Sequence, residues 1–348
     1  MAQTARMSSP ATITLEQVLR YRARVSHLDA KLPSGSFARA AWGGLQDSVP
    51  RGGVISLHAR VEGTQPDSWE DKTLVQIWFR GGADYIVPRA DAGIFTLGCL
   101  PRDPARAAAL EQLADDIHRA AKGRMTLVRE VADRIGHRSA NDPLHPRASS
   151  ATGRVHIRWD AANIWVIPVD RPSIDPEDAR HELARRFLHW LGPSTRAGLA
   201  RWTGVPTKEA AATWAAIEGD LAEVEVGGER RFMLEADLAA LAKAAPIEGV
   251  RLLSQDDPYT KVDRELLIAD PGRRKRTLPG SLATPGYIPG ALLVDGEIVG
   301  AWQRQGRKVT IHPFGRLSKA TREAIEQEAL SFPIAGSGPA SVRWESPT

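Results

Sequence analysis

Residues 195–234, TRAGLARWTGVPTKEAAATWAAIEGDLAEVEVGGERRFML, decide the fold class. Thr195 can cap a helix over Arg196 to Thr203, because its hydroxyl can accept from an otherwise orphaned N–H of the first turn. Gly204 supplies a turn, and Thr207 can cap a second helix over Lys208 to Ile217. Leu221 to Val226 and Arg231 to Leu234 then flank Gly227-Gly228. A glycine pair between two short runs signals a tight hairpin, since glycine accepts the positive φ angles of the turn. Two helices and a hairpin in this order make a winged helix. Upstream, Asp178 to Leu191 reads as a helix that Gly192-Pro193 breaks.

The same order of helices, then hairpin, recurs towards the N-terminus. Thr14 can cap a helix from Leu15 to about Ser26, with Leu15, Val18, Leu19 and Arg22 on one face. A second helical stretch is expected over Ser36 to Leu45, and 54–61 repeats apolar residues at helix-like spacing. Leu74 to Phe79 and Tyr85 to Val87 flank Arg80-Gly81-Gly82 as a hairpin. In the next module Ala105 to Ala121 is a helix, and Thr126 is expected to cap another over Leu127 to Ile135, ended by Gly136. Residues 137–152 read as an exposed loop, and Arg154 to Trp159 with Ile164 to Pro168 as paired strands. From Val250 the chain is mostly β, with one helix near Lys319 to Leu330 and a tail, 336–348, expected to be partly disordered. The fold class is therefore α+β: three tandem winged-helix modules (12–100, 101–172 and 173–249) with a C-terminal β-rich module (250–333). No residue-level repeat relates them.

Composition sets wider bounds. The chain has 348 residues, of which 42% are hydrophobic and 25% charged, an ordinary globular balance with room for two or three compact modules. A net charge of +4 permits a polyanionic partner without requiring one. The single cysteine, Cys99, excludes an intramolecular disulfide and a multi-cysteine zinc site, and reads as a small buried or half-buried residue. His27, His58, His137, His145 and His156 show no helical i,i+4 pairing, so no metal site is expected. The leader MAQTARMSSP lacks the apolar core of a signal peptide, and no apolar run is long enough to span a membrane. A cytoplasmic monomer without cofactor is expected. No Walker loop, dinucleotide fingerprint or GxSxG elbow is present.

Two stretches carry a resemblance. Residues 251–303 contain Leu252-Leu253, Asp257-Pro258-Tyr259, Asp263-Arg264 and the hairpin LLVDGEIVGAW (292–302). That order resembles the C-terminal part of the AlkZ-like DNA glycosylases, a winged-helix family that excises alkylated bases. Residues 44–61, GLQDSVPRGGVISLHARV, fall where the family carries its active-site signature. Gly44, Leu45, Gln46, Pro50, Arg51, Leu57, Ala59, Arg60 and Val61 match in register. Asp47 occupies the family's aliphatic slot and Ser48 its second polar slot, usually glutamine or aspartate. In the wing Arg80-Gly81 is kept, while the family's histidine slot falls on Tyr85 or, without an insertion, on Asp84.

The resemblance implies monofunctional hydrolysis of alkylated bases from double-stranded DNA. Cleaving an N-glycosidic bond builds an oxocarbenium-like sugar, so water must be held beside the anomeric carbon and positive charge tolerated. An N7- or N3-alkylated purine is already a cationic leaving group, so neutral amides can suffice. Gln46 retains half of such a pair, with Ser48 or Asp47 as the other candidate catalytic residues. If Asp47 instead fills a buried position, it must be hydrogen-bonded or paired. Without the resemblance, Gln46-Asp47-Ser48 reads as a polar helix terminus in which Asp47 or Ser48 caps. Candidate DNA contacts are Arg51, Arg80, Tyr85, Arg196, Arg201 and Lys208, with Arg273, Arg274, Lys275 and Arg276, which otherwise read as a solvated loop. The rival function is a DNA-binding protein that has lost the chemistry.

Overall fold

The computed structural model describes residues 11–139, 141–261, 263–268, 270, 272, 289–336 and 338–347. It is a mixed α+β fold whose described strands form sheets of six, three and five strands. Arg273, Arg274, Lys275 and Arg276 lie outside the described residues.

Helix starts follow local chemistry. In α1 (Leu15–Val25) the Thr14 hydroxyl accepts from Gln17 N–H while the Gln17 side chain accepts from Thr14 N–H, a reciprocal cap. The short α2 (Phe37–Ala40) leads into β2 (Leu45–Gln46), after β1 (Ala11–Ile13) at the start of the chain. The helix expected over Ser36 to Leu45 is thus cut to one turn. The reason lies at Gly43, where an added Cβ would fall 1.9 Å from the Trp190 ring, and at Gly44, whose φ of 78° is left-handed. The chain continues through α3 (Gly52–His58), β3 (Leu74–Phe79), β4 (Ala83–Pro88) and α4 (Ala92–Leu97). At the β3–β4 tip Arg80, Gly81 and Gly82 all have positive φ.

The middle of the chain holds α5 (Pro104–Ala121), β5 (Thr126–Leu127), α6 (Val128–Ile135), β6 (Val155–Trp159) and β7 (Ile164–Pro168). Thr126 does not cap α6. It is a strand residue paired with Val166, and its hydroxyl donates to the Arg124 carbonyl. The loop expected at 137–152 is not all exposed either. Pro146–Thr152 forms a 3-10 turn with buried Ser149, Ser150 and Thr152, whose hydroxyls donate to the carbonyls of Pro146, Trp78 and Ser149. The six-stranded sheet runs β2-β4-β3-β6-β7-β5, so both hairpins share one sheet, joined at Gln76↔Ile157.

Next come α7 (Pro176–Leu191), α8 (Arg196–Thr203), α9 (Thr207–Ala216), β8 (Leu221–Val226), β9 (Glu229–Leu234) and α10 (Leu238–Ala242). Thr195 caps α8 through Gly198 N–H, and Gly204 makes the left-handed turn. Thr207, expected as a cap, is the first residue of α9, and the N-cap position falls on Pro206. The expected hairpin gains a third strand, since β1 pairs parallel with β8.

The C-terminal part comprises β10 (Val250–Leu253), α11 (Arg264–Leu267), β11 (Gly290–Val294), β12 (Glu297–Gln305), β13 (Lys308–Pro313), α12 (Lys319–Leu330) and β14 (Ser341–Trp344). The tail is more ordered than its composition suggests, because β14 pairs parallel with β13 from Ser341 to Trp344. The central core packs Leu45, Leu57, Ile77, Tyr85, Ile86 and Phe95 against Phe187, Trp190 and Trp202 of α7 and α8. No helix among the described residues is long and apolar enough to cross a membrane.

Candidate active site and nucleic-acid interface

The candidate motif sits on a sheet edge rather than on a helix terminus. β2 pairs antiparallel with β4, placing Leu45 opposite Ile86 and Gln46 opposite Tyr85, and Asp47 N–H extends the ladder to the Asp84 carbonyl at 2.8 Å. Side chains along a strand alternate between faces. Gln46 and Ser48 therefore share one face with Tyr85, and Asp47 points to the other.

On the first face the Gln46 amide is clamped at both ends. Tyr85 Oη donates to Gln46 Oε1 at 3.2 Å, and Gln46 Nε2 donates to Ser48 Oγ at 3.1 Å. The Asp84 backbone N–H also donates to Ser48 Oγ, at 3.2 Å. Gln46 is 7% exposed and Ser48 half-buried. Among the described residues one Gln46 N–H, one lone pair of its Oε1 and the Ser48 hydroxyl proton keep no partner. Burial pushes the Tyr85 hydroxyl well above the usual tyrosine range, against the nearby Arg80 guanidinium. It therefore stays a neutral donor at neutral pH.

On the opposite face Asp47 is fully buried. Its Oδ1 accepts from Gly53 N–H at 2.8 Å in the first turn of α3, and its Oδ2 accepts from Gln76 Nε2 at 3.2 Å and Arg51 Nη1 at 3.4 Å. Burial pushes this carboxyl up to about 7 in spite of those partners. Asp47 is thus not a helix cap of the kind the plainer reading expects: the N-cap position of α3 is Arg51, and the carboxylate reaches the Gly53 N–H from the preceding strand end. Gln76 was not singled out from sequence. It also accepts from Trp159 N–H at 2.7 Å, and its one signal is a lone polar residue inside the apolar run LVQIWF.

The described candidate DNA contacts fall in several separate places. Arg51 has φ 64°, and its guanidinium lies 4.2 Å from the centre of the Trp69 ring, next to Asp47. Arg158 stacks on Trp69 and Trp165 at 5.2 Å and 5.4 Å. Tyr85 is 3% exposed with its ring edge-on to Phe79, so it presents a hydroxyl rather than a ring face. Arg80 Nε donates to the Arg201 carbonyl at 2.9 Å, which brings those two residues together across the β3–β4 tip and α8. Arg201 Nη2 lies 3.7 Å from Asp263, a buried carboxylate that also meets Arg22 at 3.0 Å and Arg231 at 3.1 Å. Arg196 and Lys208 are exposed, and Arg196 lines an open groove of about 610 Å³ with Trp214, Glu223 and Arg230. Burial pushes the half-buried Cys99 thiol up to about 12, away from the thiolate form. Among the described residues no cluster of His, Cys, Asp or Glu could hold a metal ion.

Comparison with known proteins completes the picture. A family model described as DNA glycosylase AlkZ-like matches residues 40–332. The chain is 28% identical over 160 residues to an interstrand DNA cross-link repair glycosylase of Streptomyces sahachiroi, covering 44% of this chain. That match spans 42% of the length of the curated relative. Among solved structures, Streptomyces sahachiroi DNA glycosylase AlkZ superposes with a TM-score of 0.73 at 18% identity, over 96% of this chain and 99% of that one. At that identity the likeness is one of fold.

Proposed function

Because the chain belongs to the AlkZ-like DNA glycosylase family, we propose that it hydrolyses the N-glycosidic bond of alkylated purines in double-stranded DNA, acting as a monomer without cofactor. The observation that carries this reading is the Gln46 amide clamped between Tyr85 and Ser48. Its unused N–H and carbonyl lone pair, together with the Ser48 proton, can hold a water on the strand face that Gln46 shares with Ser48. That water attacks C1′ as the C1′–N bond breaks. The electron pair goes to the cationic base, which leaves neutral, and the added water loses a proton to solvent. Fixing the water supplies the orientation that a neutral, base-free site depends on. No carboxylate is needed at the sugar, and Asp47 is a positioning residue on the far face.

In this reading the helix and hairpin units, read as tandem winged helices, carry the duplex. Arg80, Arg196, Arg201 and Lys208 contact phosphates, as do Arg273, Arg274, Lys275 and Arg276. Arg51, stacked on Trp69, braces the motif from behind. One observation favours a second reading, a DNA-binding protein without turnover: Ser48 is shorter than the side chain that the resemblance leads one to expect there.

The test is release of N7-methylguanine and N3-methyladenine from methylated duplex by the purified chain. Gln46→Ala should lower the rate about a hundredfold or more, the scale set by losing a group that orients the reactants, with DNA affinity kept. Tyr85→Phe and Ser48→Ala should each lower it less, since one clamp remains. Tight binding with no base released by the wild-type chain would establish the second reading.

A further inference from the structure

The turn between α5 and β5 has no part in the chemistry above, yet it carries an unusual surface. Met125 there is 53% exposed, more than any other large apolar side chain among the described residues. One exposed apolar residue needs no explanation by itself. Here it stands among Lys122, Arg124 and Arg129, all exposed and, among the described residues, all without a carboxylate partner. Their neighbours Arg119 and Arg134 are paired with Asp116 and Glu130, so the local acids are already engaged.

The turn is held rather than loose. Lys122 and Gly123 both take left-handed φ, 53° and 68°. Lys122 N–H donates to the His118 carbonyl at 2.9 Å and Arg124 N–H to that of Ala121 at 3.1 Å. Arg134 Nη1 reaches the Ala120 carbonyl at 2.9 Å, and Thr126 with Leu127 is fixed to Val166 and Trp165 of β7. A stiff turn thus presents one flexible apolar side chain with exposed cations on both sides of it in the chain. Cations neutralise backbone phosphates, and methionine is among the side chains that enter the minor groove and part a base step.

We propose that this turn is a second DNA contact, with Lys122, Arg124 and Arg129 on phosphates and Met125 wedged into the minor groove. The proposal rests on the reading of the chain as a duplex-DNA glycosylase and adds where the duplex is gripped away from the lesion. Gln46 and Thr126-Leu127 stand on the two outer strands of the six-stranded sheet. Five steps of about 4.8 Å separate them by about 24 Å. With the duplex axis laid across the strands, at about 3.4 Å per base step, the wedge would fall about seven base pairs from the scissile nucleotide.

Two measurements on the full chain test it. In the first, binding to undamaged duplex is followed against salt. Replacing Lys122, Arg124 and Arg129 together by alanine should reduce the slope of log affinity against log salt by about 2.7, at about 0.9 per phosphate contact. An unchanged slope overturns the contact and points to a partner other than DNA. In the second, 2-aminopurine is moved stepwise along a duplex carrying an abasic-site analogue. It should brighten about seven base pairs from that site with the wild-type chain and stay dim with Met125→Ala. Equal brightening in both, or none at any position, overturns the wedge. A wild-type chain that shows the salt slope and the brightening yet releases no base would sink the glycosylase reading and leave the contact standing.

Discussion

A single carboxylate separates the two faces of the candidate motif. Asp47 has its ordinary value of 3.8 when unfolded and is pushed up to about 7 by burial in the folded chain. Between those values the native state keeps a proton that the unfolded chain has released. The sign follows: the contribution to stability is fully present below about pH 4 and is lost as pH rises through about 7, at roughly 1.4 kcal/mol per unit of difference. Asp84, raised by burial to about 6, acts in the same direction over a narrower window. Asp47→Asn keeps an acceptor for Gly53 N–H and removes the charge. Urea unfolding midpoints from pH 5 to 8 should therefore fall less steeply in the variant than in the wild-type chain, while base release stays within about tenfold. Parallel profiles would show that the buried carboxylate does not govern this range. A collapse of base release like that of Gln46→Ala would move Asp47 from support to chemistry.

At the scale of elements, position matters as much as composition. Gly43 lets the turn after α2 pass under Trp190 of α7, with no room for a Cβ. Gly43→Ala should cost about 1–3 kcal/mol through overpacking, and less in a Trp190→Leu background, where the ring that collides is gone. Equal penalties in both backgrounds would mean that Trp190 is not the obstacle. This turn also shows where sequence reading reaches its limit. Helices with strong local caps were legible, as at Thr14 and Thr195, and so were the helix near Lys319–Leu330 and hairpins marked by glycine pairs. The strand at Leu45–Gln46 was not, because two residues carry no period and SFARAAW looks helical. β1 and β14 were missed for another reason: each is a short strand made by a parallel partner, β8 far along the chain for β1 and β13 across α12 for β14. In the motif Gln46 and Ser48 were legible through resemblance. Their relation to Tyr85 depends on pairing register, and the role of Gln76 on a fold that brings β3 behind the motif.

Across the whole molecule, buried ions tie the N-terminal part of the chain to the segment after β10 and to α12. Arg60, just after α3, meets Asp257 in a bidentate pair at 2.7 Å and 2.8 Å, with both side chains fully buried, and also donates to the Ser56 carbonyl. Arg22 of α1 meets Asp263, equally buried, through a single bond at 3.0 Å, and Lys31 reaches Glu328 of α12. Such pairs add little over apolar residues of the same shape, but removing one partner strands a buried charge at about 3–5 kcal/mol. Asp257→Asn should therefore destabilise strongly in urea unfolding, whereas Arg60→Met with Asp257→Leu should recover most of the loss. Additive penalties would show that the two do not act as a pair. The same bridge bears on chemistry. α3 starts at the turn that Asp47 holds through Gly53, and Arg60 fastens its other end to Asp257. In Asp257→Asn, assayed at a temperature where it remains folded, base release should fall further than affinity for undamaged duplex. Equal losses would mean that the bridge maintains the fold alone and leaves the Gln46 amide where it was.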